Sequence, residues 1–526
     1  QKHFERTRAV GMQSELTLSH LTKTGVGKRY DGIRDVKYGG VQYDIDHPDV
    51  RRMWKRVIET VAPKAALAGK FFAWRLVERP AFPTGTKVST HTIEKYSAWL
   101  QEHHSGIAAL NKHWGTAHAS FDVITAPGKK TGAGEWHDWC VFNRWRVDQW
   151  LAMLQDLCRT HLDSAVAYPM LGEIVGLPVA GDRPQDGHAV SGLDLESIAS
   201  AFPMVAFSAP TPALAGDLWL FDWRASALTF DLMRSIAPDT LLLATNWRGL
   251  GAGEQRHPEL SAGHIRCALW MLHLHGAGGS QAADWLRAES KPVKSGAEDF
   301  HASILTQPRM LDEYARTVYE VNAWASIIDS VARAPSAIHV LYSPAAAAQS
   351  GDHMLTLLET YESLVGLGGG VSFLSESMLE KGVPDSCRWL VVPAVDYIGE
   401  TALDQLRGFA GNGGHVSLVG DCLTHDLHGR VHDAAVIAWS AEQHRLAPGP
   451  AAVLFPELAV RAAEIRARMP LSCITADGKS LAGLVWRQIP WNGGILTAIT
   501  NPRRETVPVA FKLGDRLLGS SYDLID

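Results

Sequence analysis

Short apolar runs alternate with stretches of helical periodicity from the start of the chain to about residue 290, the pattern of β/α units that build a parallel sheet. Residues 9–18, 71–77, 165–171, 204–207, 240–245 and 272–276 read as strands. Between the first two, Asp46-His47-Pro48 opens a helix with a capping residue and a proline. Val50, Met53, Trp54, Val57, Ile58 and Val61 then fall on one face. Further helices are expected over residues 92–110, 143–161, 195–201, 225–237 and 261–271. The resulting expectation is a (β/α) barrel wall two units short of the closed eight-stranded form.

A second pattern begins after a helix over residues 311–332 and the break Arg333-Ala334-Pro335. Strands at 338–342, 371–374, 389–393 and 415–419 alternate with helices at 354–365 and 403–410, which predicts a doubly wound α/β domain. From about Gly429 the pattern decays, and residues 483–486, 494–500 and 507–512 alternate like strands of a small antiparallel β domain. The division is therefore 1–333, 334–428 and 429–526.

Length agrees: 526 residues correspond to roughly three or four domains. Fifty basic against 56 acidic residues leave a net charge of −6, which provides no footprint for a polyanion and excludes nucleic acid as the expected partner. No run is long and apolar enough for a membrane span, and charges among the first twenty residues argue against a signal peptide. A cytoplasmic location is expected, and a first residue of Gln instead of Met is compatible with removal of something upstream. The six cysteines lie at least 18 residues apart without a C-x-x-C, and read as buried thiols. Eighteen tryptophans are the one compositional excess, serving core packing or sugar-stacking platforms.

Several motifs resemble glycoside hydrolase family 42, the β-galactosidases. Residues 44–82, DIDHPDVRRMWKRVIETV leading to FFAWRLVERPAF, look like the family's stretch ending in a strand Trp-x-x-x-Asn-Glu. YSAWLQEHHSGIAALNKHWGTAHASFDVI at 96–124 is similar to its Leu-Asn-x-x-Trp-Gly-Thr segment, and GHIRCALWMLHLHGAGG at 263–279 to its last barrel helix and strand. Residues 338–420 resemble the second domain, which mediates trimers. The resemblance implies a β-galactoside or related oligosaccharide as substrate, no organic cofactor, and a homotrimer. It also leaves the family's first two barrel strands without counterparts.

The departures concern the two carboxylates. Retaining enzymes of the family use an acid/base Glu at the end of strand four and a nucleophilic Glu at the end of strand seven, about 5–5.5 Å apart. Aligned without gaps, Glu78 falls on the family's Asn, Arg79 on its acid/base, and Ala244 of LLLATNW on its nucleophile. Barrel chemistry sits where strands end, which makes Glu78 the expected acid/base and Glu173 the candidate second carboxylate, with Glu254 a further one. Trp74, Arg79, Trp114, Asn246, Trp247 and Trp285 are the expected substrate contacts. The alternative is a non-catalytic glycan-binding or assembly protein on the same scaffold, which would account for Arg79 and Ala244 together. Each carboxylate also has a plainer reading, as a strand-end ion pair or a solvated loop residue.

Twenty-three histidines raise a metal site, with His264, His273 and His275 the natural candidates. They lack ligand spacing of the His-Glu-x-x-His kind, so a structural or substrate-contacting role is expected. Gly366-Leu367-Gly368-Gly369-Gly370 follows a helix and precedes a strand, the reverse of a phosphate-binding turn, and reads as a helix end.

Overall fold

A computed structural model describes residues 14–18, 30–36, 38, 40–68, 71–82, 88–128, 130–161, 166–176, 185–186, 188–211, 219–247, 262–283, 304, 308–465, 470–475, 483–518 and 522–524. Among the described residues the main sheet of the first unit has six strands: β1 (Ser14–Thr17), β2 (Phe71–Glu78), β3 (Val166–Leu171), β4 (Met204–Ser208), β5 (Leu241–Trp247) and β6 (Gly279–Ala282). They pair in parallel in chain order. When every crossover steps one strand in the same direction, right-handed connections put all helices on one face and leave the other to curl inward, which makes a barrel wall.

The pleat identifies the two faces. Ala73, Tyr168, Met170, Met204 and Ala206 form a small cluster with Val166 and Leu243, which is the barrel interior. Trp74, Leu76, Leu171, Val205, Phe207, Leu242 and Ala244 belong instead to the large core shared with the helices. Those helices are α1 (Val50–Ala68), α2 (Thr90–His103), α3 (Ile107–Trp114), α4 (Ala133–His161), α5 (Leu195–Ala201), α6 (Arg224–Ile236), α7 (Ala262–Leu274), α8 (Pro308–Ala323) and α9 (Ala325–Ala332).

Several boundaries differ from expectation for local reasons. Residues 272–276 are not a strand: α7 continues to Leu274, Gly276 (φ 111°) turns the chain, and β6 begins at Gly279. A Cβ at Gly279 would lie 2.9 Å from Leu243 Cδ2, so close strand packing demands a residue without hydrophobic signal. The expected helix 92–110 is divided at Gly106 (φ 150°), and the one at 311–332 divides at Trp324. Asp46 does not cap α1. Asp49 N donates to His47 Nδ1 at 3.0 Å, while the Asp46 carboxylate is buried against Arg146 (2.6 Å) and Lys95 (3.0 Å). Five cysteines are buried thiols; Cys267 is only half-buried.

The second unit is a five-stranded parallel sheet of β7 (Ile338–Tyr342), β8 (Ser372–Ser375), β9 (Trp389–Pro393), β10 (His415–Val419) and β11 (His444–Leu446), in the order β8-β7-β9-β10-β11. The order reverses at β7, as doubly wound folds do. Its last strand lies beyond residue 428, so the sheet extends further than the pattern indicated. Helices α10 (Asp352–Val365), α11 (Glu400–Gly411), α12 (Ala434–Glu442) and α13 (Ala451–Ile465) accompany it.

In the third unit β12 (Leu471–Thr475) pairs antiparallel with β15 (Val507–Leu513), and β13 (Val485–Trp491) with β14 (Gly494–Thr500). Asn492 (φ 47°) and Gly493 (φ 77°) supply the two left-handed residues of the β13–β14 turn. The Gly366–Gly370 run is where this unit docks: Trp486 Nε1 donates to Gly366 O at 2.8 Å, and its ring lies where a Cβ on Gly368 would be.

Candidate functional site

The mouth of the barrel begins at the end of β2. Ala73 pairs with Val166 and Arg75 with Tyr168, both inward, but the register slips between Arg75 and Val77. That irregularity turns Val77 to the helices and Glu78 to the interior, opposite Met170. The next residue, Arg79, is exposed and has φ 47°, and its N–H donates to Met170 O at 2.7 Å. Gly40 braces this corner from the other side. With φ +74° it lies so close that a Cβ would be 2.7 Å from Glu78 O and 2.6 Å from Arg79 O.

At the end of β3, Glu173 is half-buried between Gly172 and the buried Ile174. Its carbonyl accepts from His188 Nε2 at 2.8 Å. Burial pushes the Glu173 carboxyl up to about 7; the Arg79 guanidinium opposes the shift and the Asp222 carboxylate adds to it. Asp222 is itself buried and forked onto Arg224 (Nη2 to Oδ2 2.9 Å, Nε to Oδ1 3.1 Å), whose other amino group reaches Glu362 of the second unit at 3.1 Å. Glu78, Arg79, Glu173 and Asp222 thus belong to one corner of the mouth.

Below the rim, Arg75 crosses the barrel interior. Its guanidinium contacts Glu15 of β1 (2.7 Å), Gln281 of β6 (2.7 Å) and Tyr168 Oη of β3 (3.2 Å), and Tyr168 in turn donates to Glu15 at 2.5 Å. Burial disfavours its charge, but Tyr168, Glu15 and Glu78 outweigh that and hold the guanidinium protonated. This polar floor was missed by sequence reasoning. Its one signal was an Arg at an inward position of an otherwise apolar strand.

The β5 end corrects an alignment. Ala244 pairs with Phe207 and Ser280, is fully buried, and packs against the helices, so it does not line the mouth. One residue of slip reverses the face of a strand. Asn246 (φ 55°) is the residue whose side chain turns toward Ser208 of β4, Nδ2 to Oγ 3.5 Å. No carboxylate stands at either position.

The expected tryptophan wall is not formed by the three rings that can be located. Trp74 is buried in the helix-facing core, and Trp247 is buried with its ring 5.7 Å from that of Tyr314. Trp114 is buried on the β2–β3 crossover with Nε1 donating to Asp138 at 2.8 Å. Trp285 and Glu254 lie outside the described residues, with the segments 177–184, 212–218, 248–261 and 284–303 that follow β3 to β6. His264, His273 and His275 do not converge: they bond to Thr211 O, Ala277 O and Asp231 respectively. Among the described residues, the group whose ligand atoms do converge is His137, Asp138 and His428, which the sequence did not single out because 290 residues separate its parts. No helix among the described residues is long and apolar enough to cross a membrane.

The family model of glycoside hydrolase family 42, described as beta-galactosidase, matches residues 28–331. Beta-galactosidase LacZ of Heyndrickxia coagulans is 22% identical over 306 residues, 55% of this chain, and the chain spans 41% of that relative's length. Among solved structures, an apo exo-carrageenase GH42 from Bacteroides ovatus superposes with a TM-score of 0.77 at 20% identity, covering 95% of this chain and 72% of that one. A catalytic mutant of a GH42 beta-galactosidase from G. stearothermophilus gives 0.72 at 13% identity, covering 99% and 88%.

Proposed function

Because the chain belongs to glycoside hydrolase family 42, the beta-galactosidases, we propose that it hydrolyses a β-galactoside or a related oligosaccharide at the mouth of its first unit. The observation that carries this reading is Glu173, a half-buried carboxyl at a strand end whose proton is retained up to about pH 7, in the same corner as Glu78. A pair of carboxyls, one of which can donate a proton to the leaving oxygen, is what glycoside cleavage requires.

The roles are the reverse of those the motif suggested. Glu173 donates its proton to the leaving glycosidic oxygen. Glu78 is the carboxylate that acts on the opposite side of the sugar, either by attacking the anomeric carbon to form a glycosyl ester or by deprotonating the attacking water; in the first case Glu173 then deprotonates the water that cleaves the ester. Arg79 and Asn246 serve as substrate contacts at the rim. Arg75 stabilises the charge on the floor beneath them.

The test is a panel of aryl β-galactoside, galactosyl oligosaccharides and a carrageenan oligosaccharide, the last because a GH42 neighbour is an exo-carrageenase and Arg79 is an exposed cation. Turnover abolished by Glu78→Gln, and lowered by Glu173→Gln most for the unactivated substrates, supports hydrolysis. Saturable oligosaccharide binding with no turnover by the unaltered chain replaces it with the binding-protein reading. The family likeness further supports a cytoplasmic homotrimer assembled through the second unit, checked by a mass in solution of three 57.4 kDa chains.

A further inference from the structure

On the crossover between β2 and β3, two imidazoles and a carboxylate meet a third imidazole carried by a loop of the second unit. His137 and Asp138 lie in the first turns of α4, His113 near the end of α3, and His428 in the loop of residues 424–432. One ligand atom from each of His137, Asp138 and His428 lies within 4.8 Å of the others. The His428 ring centroid is 5.2 Å from that of His137 and 5.3 Å from that of His113.

The polar accounting of this cluster is incomplete without a ligand. Asp138 Oδ2 is saturated, accepting from His104 Nε2 and Trp114 Nε1 at 2.8 Å each, which fixes the carboxylate and leaves Oδ1 turned to His428. The distance from His428 Nε2 to Oδ1 is 3.6 Å, too long for a hydrogen bond. It is close to the roughly 3.3–3.4 Å that separates two ligand atoms bound tetrahedrally at about 2.0–2.1 Å from one zinc ion. His113 Nδ1, beside the cluster, is buried with no hydrogen-bond partner.

The loop that delivers His428 is held in place. Asp426 Oδ1 accepts from the N–H of both His428 and Arg430 at 2.9 Å, and Gln349 Nε2 joins Ala133 O (2.8 Å) to Leu427 O (3.2 Å). Gly429 (φ 84°) lies so near α4 that a Cβ would be 2.4 Å from Ala133 Cβ.

We propose that His137, Asp138 Oδ1 and His428 bind one divalent transition-metal ion, with zinc the best match to these imidazole and carboxylate donors, and that the ion fastens the second unit to the barrel crossover. The Asp138 contacts to His104 and Trp114 are the outer shell that orients its ligand oxygen.

The experiment uses the full chain without a histidine tag, stripped with EDTA, reloaded with Zn2+ or Co2+ and desalted. Expected are about one metal per chain by elemental analysis, the visible bands of tetrahedral Co2+, and a higher Tm with Zn2+ than with EDTA. His137→Gln and His428→Gln should each lose the bands and reduce retained metal at least tenfold, while His415→Gln, outside the cluster, changes neither. Neither cluster substitution removes a side-chain hydrogen bond, so near-UV circular dichroism of the metal-free variants should match the parent. Retained metal well below one per chain in the parent, or equal retention in both cluster variants, overturns the proposal and leaves a carboxylate–imidazole network. Should either variant misfold, the Tm of the parent with and without Zn2+ decides.

Discussion

Arg487 of the third unit donates to the carboxylate of Asp231 inside α6 of the barrel, at a point where the Asp231 side chain is 2% exposed and the arginine 11%. The same oxygen accepts from Tyr361 Oη (2.7 Å) in the second unit and from His275 Nδ1 (2.8 Å) after α7, so one carboxylate ties all three units together. Burial opposes its charge, but Arg487 and His275 outweigh that and hold the Asp231 carboxyl below the usual range. Removing one partner from such a buried group leaves the other charge unpaired. Asp231→Ala should therefore cost about 3–5 kcal/mol. The measurement is the midpoint of the first urea transition, and Asp231→Ala with Arg487→Met should recover part of the loss. Since the folded carboxyl is depressed, its contribution is present above the ordinary carboxylate range and fades as pH falls through the folded value.

A second joint depends on the absence of a side chain. Gly368 has φ +79°, and a Cβ there would be 2.1–2.3 Å from atoms of the Trp486 ring. Gly368→Ala combines backbone strain with overpacking and should destabilise by about 1–3 kcal/mol or more. Trp486→Phe in the same chain should restore some of that loss, at the expense of the Trp486 bond to Gly366 O. Thermal unfolding of the two single variants and the double variant tests the coupling.

Strand existence was legible wherever burial on both faces left an unbroken apolar run, as at 338–342 and 389–393, where every residue is buried. It failed at β6, whose Gly279 packs so closely on β5 that a side chain there would meet Leu243. The rule that chemistry sits at strand ends picks out Glu78, Arg79, Glu173 and Asn246, and all four do stand at or beside strand ends. What it could not locate was depth. Trp74 and Trp247 follow the same rule but point into the helix layer, and the alignment on Ala244 is one pleat out of phase. Asp222 and Arg75 act on the site through space, and the sequence carries no record of who their neighbours are.

Gly40 offers a way to disturb the mouth without touching a reacting group. Its positive φ and its contact with the Glu78 and Arg79 carbonyls mean that any side chain must push the end of β2 away. Gly40→Ala should lower kcat/KM tenfold or more by displacing Glu78, since positional errors of about 1 Å cost on the order of 10²-fold. Its effect on Tm should be smaller in proportion than that of Gly368→Ala, because Gly40 supports one corner and Gly368 a joint between units. Steady-state kinetics beside a melting curve separates the two.

The last prediction concerns pH. The Glu173 carboxyl is raised to about 7, chiefly by burial, so ionising it costs folding free energy. For a group whose folded value lies above its unfolded one, the contribution is fully present below the unfolded value near 4.5 and is lost as pH rises through about 7. Glu173→Gln keeps the shape and never ionises. Compared with the parent it should gain relative stability between pH 5 and pH 8, a trend opposite to that of a paired surface carboxylate. Activity should follow the same titration: the alkaline limb of kcat/KM falls with an apparent value close to 7 if Glu173 supplies the proton. Removing that carboxyl should reduce turnover of an unactivated galactoside by about 10²–10⁴-fold and abolish the limb. An aryl galactoside with an acidic phenol as leaving group needs less protonation and should suffer less. An alkaline limb unchanged in Glu173→Gln would assign the proton to another residue, even if the stability trend holds, because the two readouts share a carboxyl but not a mechanism.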